Sequence, residues 1–202
     1  TASLTPTLLA LLDPSLAPAD LCMVVAGEAC PGTLARAWAS RCTLINCYGP
    51  TEATVTASFA RVDPGSDGPP PIGRPLGNVQ LYVLDEELDP TPQGLVGELY
   101  IAGLGLARGY LDRPGLTAAR FVPNPYAGPG ERMYRSGDRC RLRSDGQLEF
   151  VGRVDHEIKL RGVRIDLGEI EATLHEHPLI AEAATLLASE GEPRLLAHVV
   201  AK

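Results

Sequence analysis

The sequence has no long apolar run: none approaches the roughly 20 residues that cross a bilayer. A transmembrane helix is therefore not expected. The N-terminus lacks the basic-then-apolar pattern of a secretory signal. Excess positive charge is also missing. Lys and Arg total 18 against 25 Asp and Glu, a formal net charge of −7, which argues against a general nucleic-acid binder. The five cysteines (Cys22, Cys30, Cys42, Cys47, Cys140) are odd in number and form no C-x-x-C pair. That excludes the usual zinc and disulfide frameworks and fits reduced thiols in a cytoplasmic protein. There are four histidines, none at metal-ligand spacing. His175, His177 and His198 fall at helix ends or in strands and read as structural.

What is present is an ordinary globular composition, 45% hydrophobic and 21% charged over 202 residues. That length suits one domain, or one domain with part of another. The first 60 residues alternate helix and strand. Thr5-Pro6 opens a capped helix over TLLALL, and 21–27 (LCMVVAG) is a continuous apolar run like a buried parallel strand. A short helix follows over 31–40, with Leu34 and Trp38 on one face, then a second buried strand at 42–49. This alternation favours an α/β sheet. After a Gly/Pro-rich loop at 63–71 the texture changes. VQLYVLD, GELYIAG and QLEFVG, with a turn at Ser144-Asp145-Gly146, predict a small β-barrel or antiparallel sheet. From Asp155 a new unit is expected: strands IKLRG and VRID, a helix over 167–175, then strands AATLLA and LLAHVVA.

Three motifs carry chemistry. In NCYGPTE (46–52) a strand ends in a Gly-Pro turn. Backbone N–H groups of such a turn can hold phosphate oxygens, and the adjacent hydroxyl and carboxylate of Thr51 and Glu52 suit a phosphate plus Mg²⁺. Tyr48 can stack on a base, and the Asn46 amide can read its edge. The same residues also read as a plain Gly-Pro turn capped by Thr. In YRSGD (134–138), Asp138 is either an Asx-turn residue after a Ser-Gly turn or a carboxylate for the two hydroxyls of a ribose. In GRVDHEIKLRGVRIDLGEIE (152–171), Arg153 offers a planar guanidinium for sugar or phosphate oxygens, while Lys159, Arg161 and Arg164 also read as an exposed strand face. A fourth stretch, GLGLARG (103–109), is not a dinucleotide fingerprint. Its spacing is G-x-G-x-x-x-G, with no helix or later ribose-binding acid in place. Its glycines read as tight turns in a structural core.

In this order the three motifs resemble those of the adenylate-forming enzymes, and among them the amino-acid adenylation domains of nonribosomal peptide synthetases. The resemblance covers almost the whole chain. It implies an α/β fold with a small β-barrel-like part, followed by the start of a small α+β C-terminal subdomain. Residues 1–154 would be the C-terminal part of the large subdomain, with a sheet portion over 1–62 and a barrel-like portion over 72–154. Residues 155–202 would begin the small subdomain, with a hinge at Asp155. The implied activity is ATP-dependent formation of aminoacyl-AMP and transfer to a carrier-protein phosphopantetheine thiol.

The resemblance also assigns residues. Gly27, Asn46, Tyr48, Thr51, Asp138, Phe150 and Arg153 would hold ATP or AMP, with Thr51 on phosphate and Glu52 on the Mg²⁺. Lys159 and Arg161 would lie on the side of the carrier's phosphopantetheine arm. The amino-acid pocket would be lined by Ser3, Val24, Ala26, Cys47, Val55 and Thr56. These are small and uncharged, so a charged substrate side chain would be left unpaired, and an apolar or aromatic amino acid is expected. Ala118, Ala119 and Phe121, in GLTAARF, would contact an MbtH-like activator protein. Three family elements are not found: a Ser/Thr/Gly-rich phosphate loop, an Asp for the substrate amino group, and a C-terminal Lys, a role not given to Lys202. This chain alone is therefore expected not to adenylate. Two other readings keep most of these residues: an acyl- or aryl-CoA synthetase-like ligase, and a non-catalytic module that binds an MbtH-like or carrier protein.

Overall fold

The computed structural model describes residues 1–155, 157–160, 162–188 and 194–202. The chain divides into two compact units, Thr1–Val154 and Asp155–Lys202. Among the described residues no helix is long and apolar enough to cross a membrane.

The first unit opens with a five-stranded sheet. Strands β1 (Ala2–Leu4), β2 (Cys22–Val25) and β3 (Thr43–Tyr48) run parallel, and β4 (Ser58–Arg61) and the two-residue β5 (Arg74–Pro75) continue it antiparallel. Helices α1 (Pro6–Leu9) and α2 (Gly32–Ala39) lie in the two parallel crossovers. Thr5 caps α1, its hydroxyl accepting from Leu8 N at 3.4 Å. The helix is shorter than TLLALL suggests. Leu11 N and Leu12 N bond three residues back, to Leu8 O and Leu9 O, and Asp13 before Pro14 is disfavoured in the helical region. Strand alternation sends Met23, Val25 and Leu44 to one face, where they pack with Leu9, Ala35 and Trp38. Leu9, Val25 and Leu44 are fully buried, each stabilising the fold by about 1.5–3 kcal/mol relative to exposure. The other face carries Ser3, its register partner Val24, Val24's partner Ile45, and Cys47 two residues further on.

The second sheet is antiparallel throughout: β6 (Val79–Leu84), β7 (Val96–Gly103), β8 (Phe121–Pro123), β9 (Arg132–Leu142) and β10 (Leu148–Arg153), with α3 (Pro114–Arg120) leading into β8. The order is β6-β7-β9-β10, and β8 shares the β10 edge of β9. In β7, Leu99 and Ile101 face one core cluster while Tyr100 and Ala102 face another. Cover on both sides explains why GELYIAG is apolar at successive positions. Ile72 N and Gly73 N both bond to Leu148 O (2.8 and 3.2 Å), and Leu148 N bonds back to Gly73 O (2.8 Å). This bridge ties the segment before β5 to β10 of the second sheet. Gly73 has φ +84°, and a Cβ there would sit 1.9 Å from Phe59 O, so only glycine fits.

The second unit has two hairpins around one helix: β11 (Glu157–Leu160) with β12 (Val163–Asp166), and β13 (Ile180–Ala188) with β14 (Arg194–Ala201). Asp166 caps α4 (Leu167–His175), accepting from Gly168 N at 2.9 Å. Glu171 ties α4 to β13, accepting from Thr185 N (2.6 Å) and Thr185 Oγ1 (3.0 Å).

Candidate active site

The NCYGPTE motif begins on β3 and ends in a short 3₁₀ turn, Thr51–Ala53. The chain then doubles back. Thr54 and Val55 both adopt left-handed backbone (φ 56° and 70°), Thr56 N bonds to Thr54 O, and Ala57 N returns to Tyr48 O, each at 2.8 Å. Two consecutive β-branched residues at positive φ store strain, of order 1–3 kcal/mol each. The Thr54 hydroxyl holds them by donating to Gly105 O at 2.6 Å. Gly49 makes the closure possible: a Cβ there would lie 2.5 Å from Val55 O and 2.6 Å from Ala57 N.

Asp138 is the centre of the site. YRSGD is not a turn, because all five residues lie within the eleven-residue strand β9. Gly137, at φ +74°, bends the strand while Tyr134, Ser136, Asp138 and Cys140 stay buried and Arg135, Arg139 and Arg141 stay exposed. The Tyr48 hydroxyl donates to Asp138 Oδ2. Arg153 Nη1 donates to Asp138 Oδ1 at 2.5 Å, and Arg153 Nη2 to Ser136 O at 3.3 Å. Ser136 Oγ in turn donates to Leu99 O (2.6 Å) and accepts from Asp138 N (3.0 Å). Burial, then the Asp138 charge, pushes the Tyr48 phenol well above its ordinary range, so it remains a donor. The same two causes raise the neighbouring Cys140 thiol. Phe150 pairs with Cys140 across β9–β10 and packs on the same cluster. Asn46 is buried, its Nδ2 donating to Pro71 O at 2.9 Å.

A second polar group lies at Glu52, a buried carboxylate beside the exposed Thr51. Tyr110 donates its hydroxyl to Glu52 Oε1 at 2.6 Å and sits 3.4 Å from the Tyr134 hydroxyl. Burial and the bond to Glu52 raise the Tyr110 phenol. Among the described residues no three His, Cys, Asp or Glu side chains gather to hold a metal by themselves. One buried carboxylate next to a hydroxyl instead fits a Mg²⁺ that arrives on phosphate oxygens.

The other expected residues fall as follows. Ser3, Val24 and Cys47 share one sheet face, Ala26 follows β2, and Val55 and Thr56 lie on the strained return, Val55 70% exposed. Gly27, with φ 86°, follows Ala26. Ala118 and Ala119 are exposed on α3, but Phe121 is buried against Tyr110 and Tyr134, so only the two alanines present surface. Asp155 begins the second unit and accepts from Glu157 N at 3.4 Å. Lys159 is exposed opposite Arg164, and Arg164 pairs with Glu157 at 2.6 Å. Arg161 lies outside the described residues. The motif reading missed Tyr110 and Ser136. Ser136 stands inside YRSGD and Tyr110 directly after GLGLARG, but a hydroxyl that holds another side chain leaves no spacing signal.

A family model described as AMP-binding enzyme matches residues 2–111, and the chain belongs to that family. Its relatives include nonribosomal peptide synthetases, and the solved structures similar to it include adenylation domains. The chain is 54% identical over 182 residues to a dimodular nonribosomal peptide synthase of Bacillus subtilis (strain 168), covering 89% of this chain and 8% of that protein. It superposes on an artificially fused adenylation-PCP di-domain, NpsA-ThdA, from Klebsiella oxytoca (TM-score 0.81, 32% identity, 99% of this chain and 39% of that one). It also superposes on the Vibrio cholerae adenylation domain AlmE, solved with glycyl-adenosine-5'-phosphate (TM-score 0.82, 31% identity, 98% and 40%). The fold is thus that of the adenylate-forming enzymes, and the chain spans well under half the length of each of these proteins.

Proposed function

We propose that this chain carries the nucleotide-binding part of an amino-acid adenylating ligase of peptide synthesis. The observation that carries the reading is the bonded group Tyr48, Asp138 and Arg153, drawn from all three motifs across 90 and 15 residues of sequence. Such a group positions a substrate and offsets charge, which is the main demand of phosphoryl and nucleotidyl transfer.

In this reading Asp138 accepts from the ribose hydroxyls, with Tyr48 and Arg153 fixing its two oxygens. Asn46, Gly27 and Phe150 border the nucleoside. Thr51 would bond phosphate, and Glu52 would hold a Mg²⁺, which would supply positive charge beside the phosphates. A substrate carboxylate oxygen attacks the α-phosphorus, and the P–O bond to pyrophosphate breaks. A carrier thiol then attacks the acyl carbonyl, and AMP leaves as its oxygen keeps the bonding pair. The carrier partner is supported by the adenylation-PCP architecture of the fused Klebsiella oxytoca protein, and in this reading Lys159 faces the phosphopantetheine arm. Asp155 serves as the hinge, at the boundary between the two compact units. Ser3, Val24, Ala26, Cys47, Val55 and Thr56 line an uncharged pocket for an apolar or aromatic amino acid. Ala118 and Ala119 are the surface offered to an MbtH-like activator.

The test is ATP–pyrophosphate exchange by the complete adenylation domain, across an amino-acid panel, with and without an MbtH-like protein. Exchange stimulated by one apolar or aromatic amino acid is expected. Exchange with a charged amino acid would overturn the pocket reading, and exchange only with acyl or aryl acids would move the protein to the coenzyme A branch.

A further inference from the structure

The GLGLARGY stretch makes three bonds to the segment just after Gly49-Pro50. Ala107 N donates to Glu52 O at 2.8 Å, Gly105 O accepts from the Thr54 hydroxyl at 2.6 Å, and the Tyr110 hydroxyl donates to Glu52 Oε1 at 2.6 Å. Tyr110 itself is tightly held. Its N–H donates to Thr117 Oγ1 at 2.9 Å, and its ring meets Phe121 edge-on at 5.7 Å. The phenol is therefore a donor held in place by its own loop and by Phe121.

We propose that Tyr110 is a positioning residue that sets the rotation of the Glu52 carboxylate for the divalent cation accompanying ATP. This rests on the reading of Glu52 given above. A carboxylate has about four acceptor positions, so it can take the bond from Tyr110 and a cation together. A partner that orients a ligating carboxylate typically changes metal affinity or activity by about 10–100-fold. Gly105 then has a role beyond turning the chain, since it lets this loop run along the Thr51–Ala53 turn. A Cβ at Gly105 would come within 3.3 Å of Ala53 O.

The experiment compares ATP binding by calorimetry, in the complete adenylation domain, with Mg²⁺ and with EDTA. The ratio of the two affinities is the metal increment. Tyr110→Phe removes only the hydroxyl and keeps the ring on Phe121. It is expected to reduce the increment roughly tenfold while EDTA-state ATP affinity stays within about twofold, which also verifies the fold. Glu52→Gln is expected to abolish the increment, and the double variant to match Glu52→Gln alone. If Glu52→Gln abolishes the increment but Tyr110→Phe leaves it whole, the inference fails and the reading of Glu52 stands. A loss in Tyr110→Phe that is equal with and without Mg²⁺ marks a structural residue and also overturns the inference. If Glu52→Gln retains the increment, the metal role of Glu52 falls, and the inference with it.

Discussion

At the scale of single residues, the site depends on a few groups that cannot be exchanged for near neighbours. Arg153 and Asp138 form an ion pair with side chains only 12% and 4% exposed. Removing one partner of a buried pair costs about 3–5 kcal/mol because the other charge is left uncompensated. Here Tyr48 still donates to Asp138, so Arg153→Ala is expected near the lower end, about 3 kcal/mol, read as a fall in the urea midpoint. Arg153→Lys should recover only part of this. A single ammonium does not reproduce the fork that reaches both Asp138 Oδ1 and Ser136 O. Gly49→Ala tests the backbone instead. Its methyl would displace Val55 O and Ala57 N, so nucleotide affinity and amino-acid selectivity should both change in the complete domain. Unchanged selectivity would mean that the 54–56 return does not shape the pocket.

At the scale of elements, legibility follows from whether a signal is local. The strands at 79–85 and 97–103 and the helix at 31–40 were legible because apolar periodicity is a short-range property, and each appears within a residue or two of its expected place. Strand β9 was not, because polar Ser136 and Asp138 stand on its buried face and the Ser-Gly pair reads as a turn. The strand exists because β7 and β10 supply partners on both its edges, which no local pattern reveals. Tyr48, Asp138 and Arg153 could be named from their motifs, but their mutual bonds depend on how the two sheets meet at Gly73. In the second unit, Glu171 offers an element-level test. Its carboxylate receives two bonds from Thr185, and hydrogen bonds to a charged group contribute about 1.5–3 kcal/mol. Glu171→Ala should therefore speed hydrogen exchange at the Thr185 amide by one to two orders of magnitude on the order of that energy, with little change at Leu99 in the first unit. Equal acceleration at both sites would mean that the two units do not open separately.

At the scale of the whole molecule, the titrating groups set which side of neutrality is fragile. Burial raises Cys30 from 9.0 to about 11 and also raises Cys140, Tyr48 and Tyr110. All four lie in the first unit. For each, the unfolded chain releases its proton before the folded one does, so the unfolded state binds fewer protons and stability falls with rising pH. The contribution is whole below about pH 9, where free thiols begin to ionise, and is lost as pH climbs toward the folded values. On the acid side Glu149 is lowered by Arg141, and Asp145 and Asp13 by backbone N–H groups. Their stabilisation holds above the ordinary carboxylate range and disappears as pH falls through the folded values. These carboxylates lie at the surface, where such interactions are weak. Urea midpoints measured under reducing conditions from about pH 4 to about pH 11 should therefore fall more steeply on the alkaline limb than on the acid one. Trp38, the single tryptophan, is buried in the first unit, so its fluorescence isolates the unit that carries these groups. A symmetric profile by that probe would show that the buried thiols and phenols do not govern its stability. A steep alkaline change in Trp38 fluorescence, with part of the circular dichroism retained, would show the first unit opening while the second keeps its hairpins.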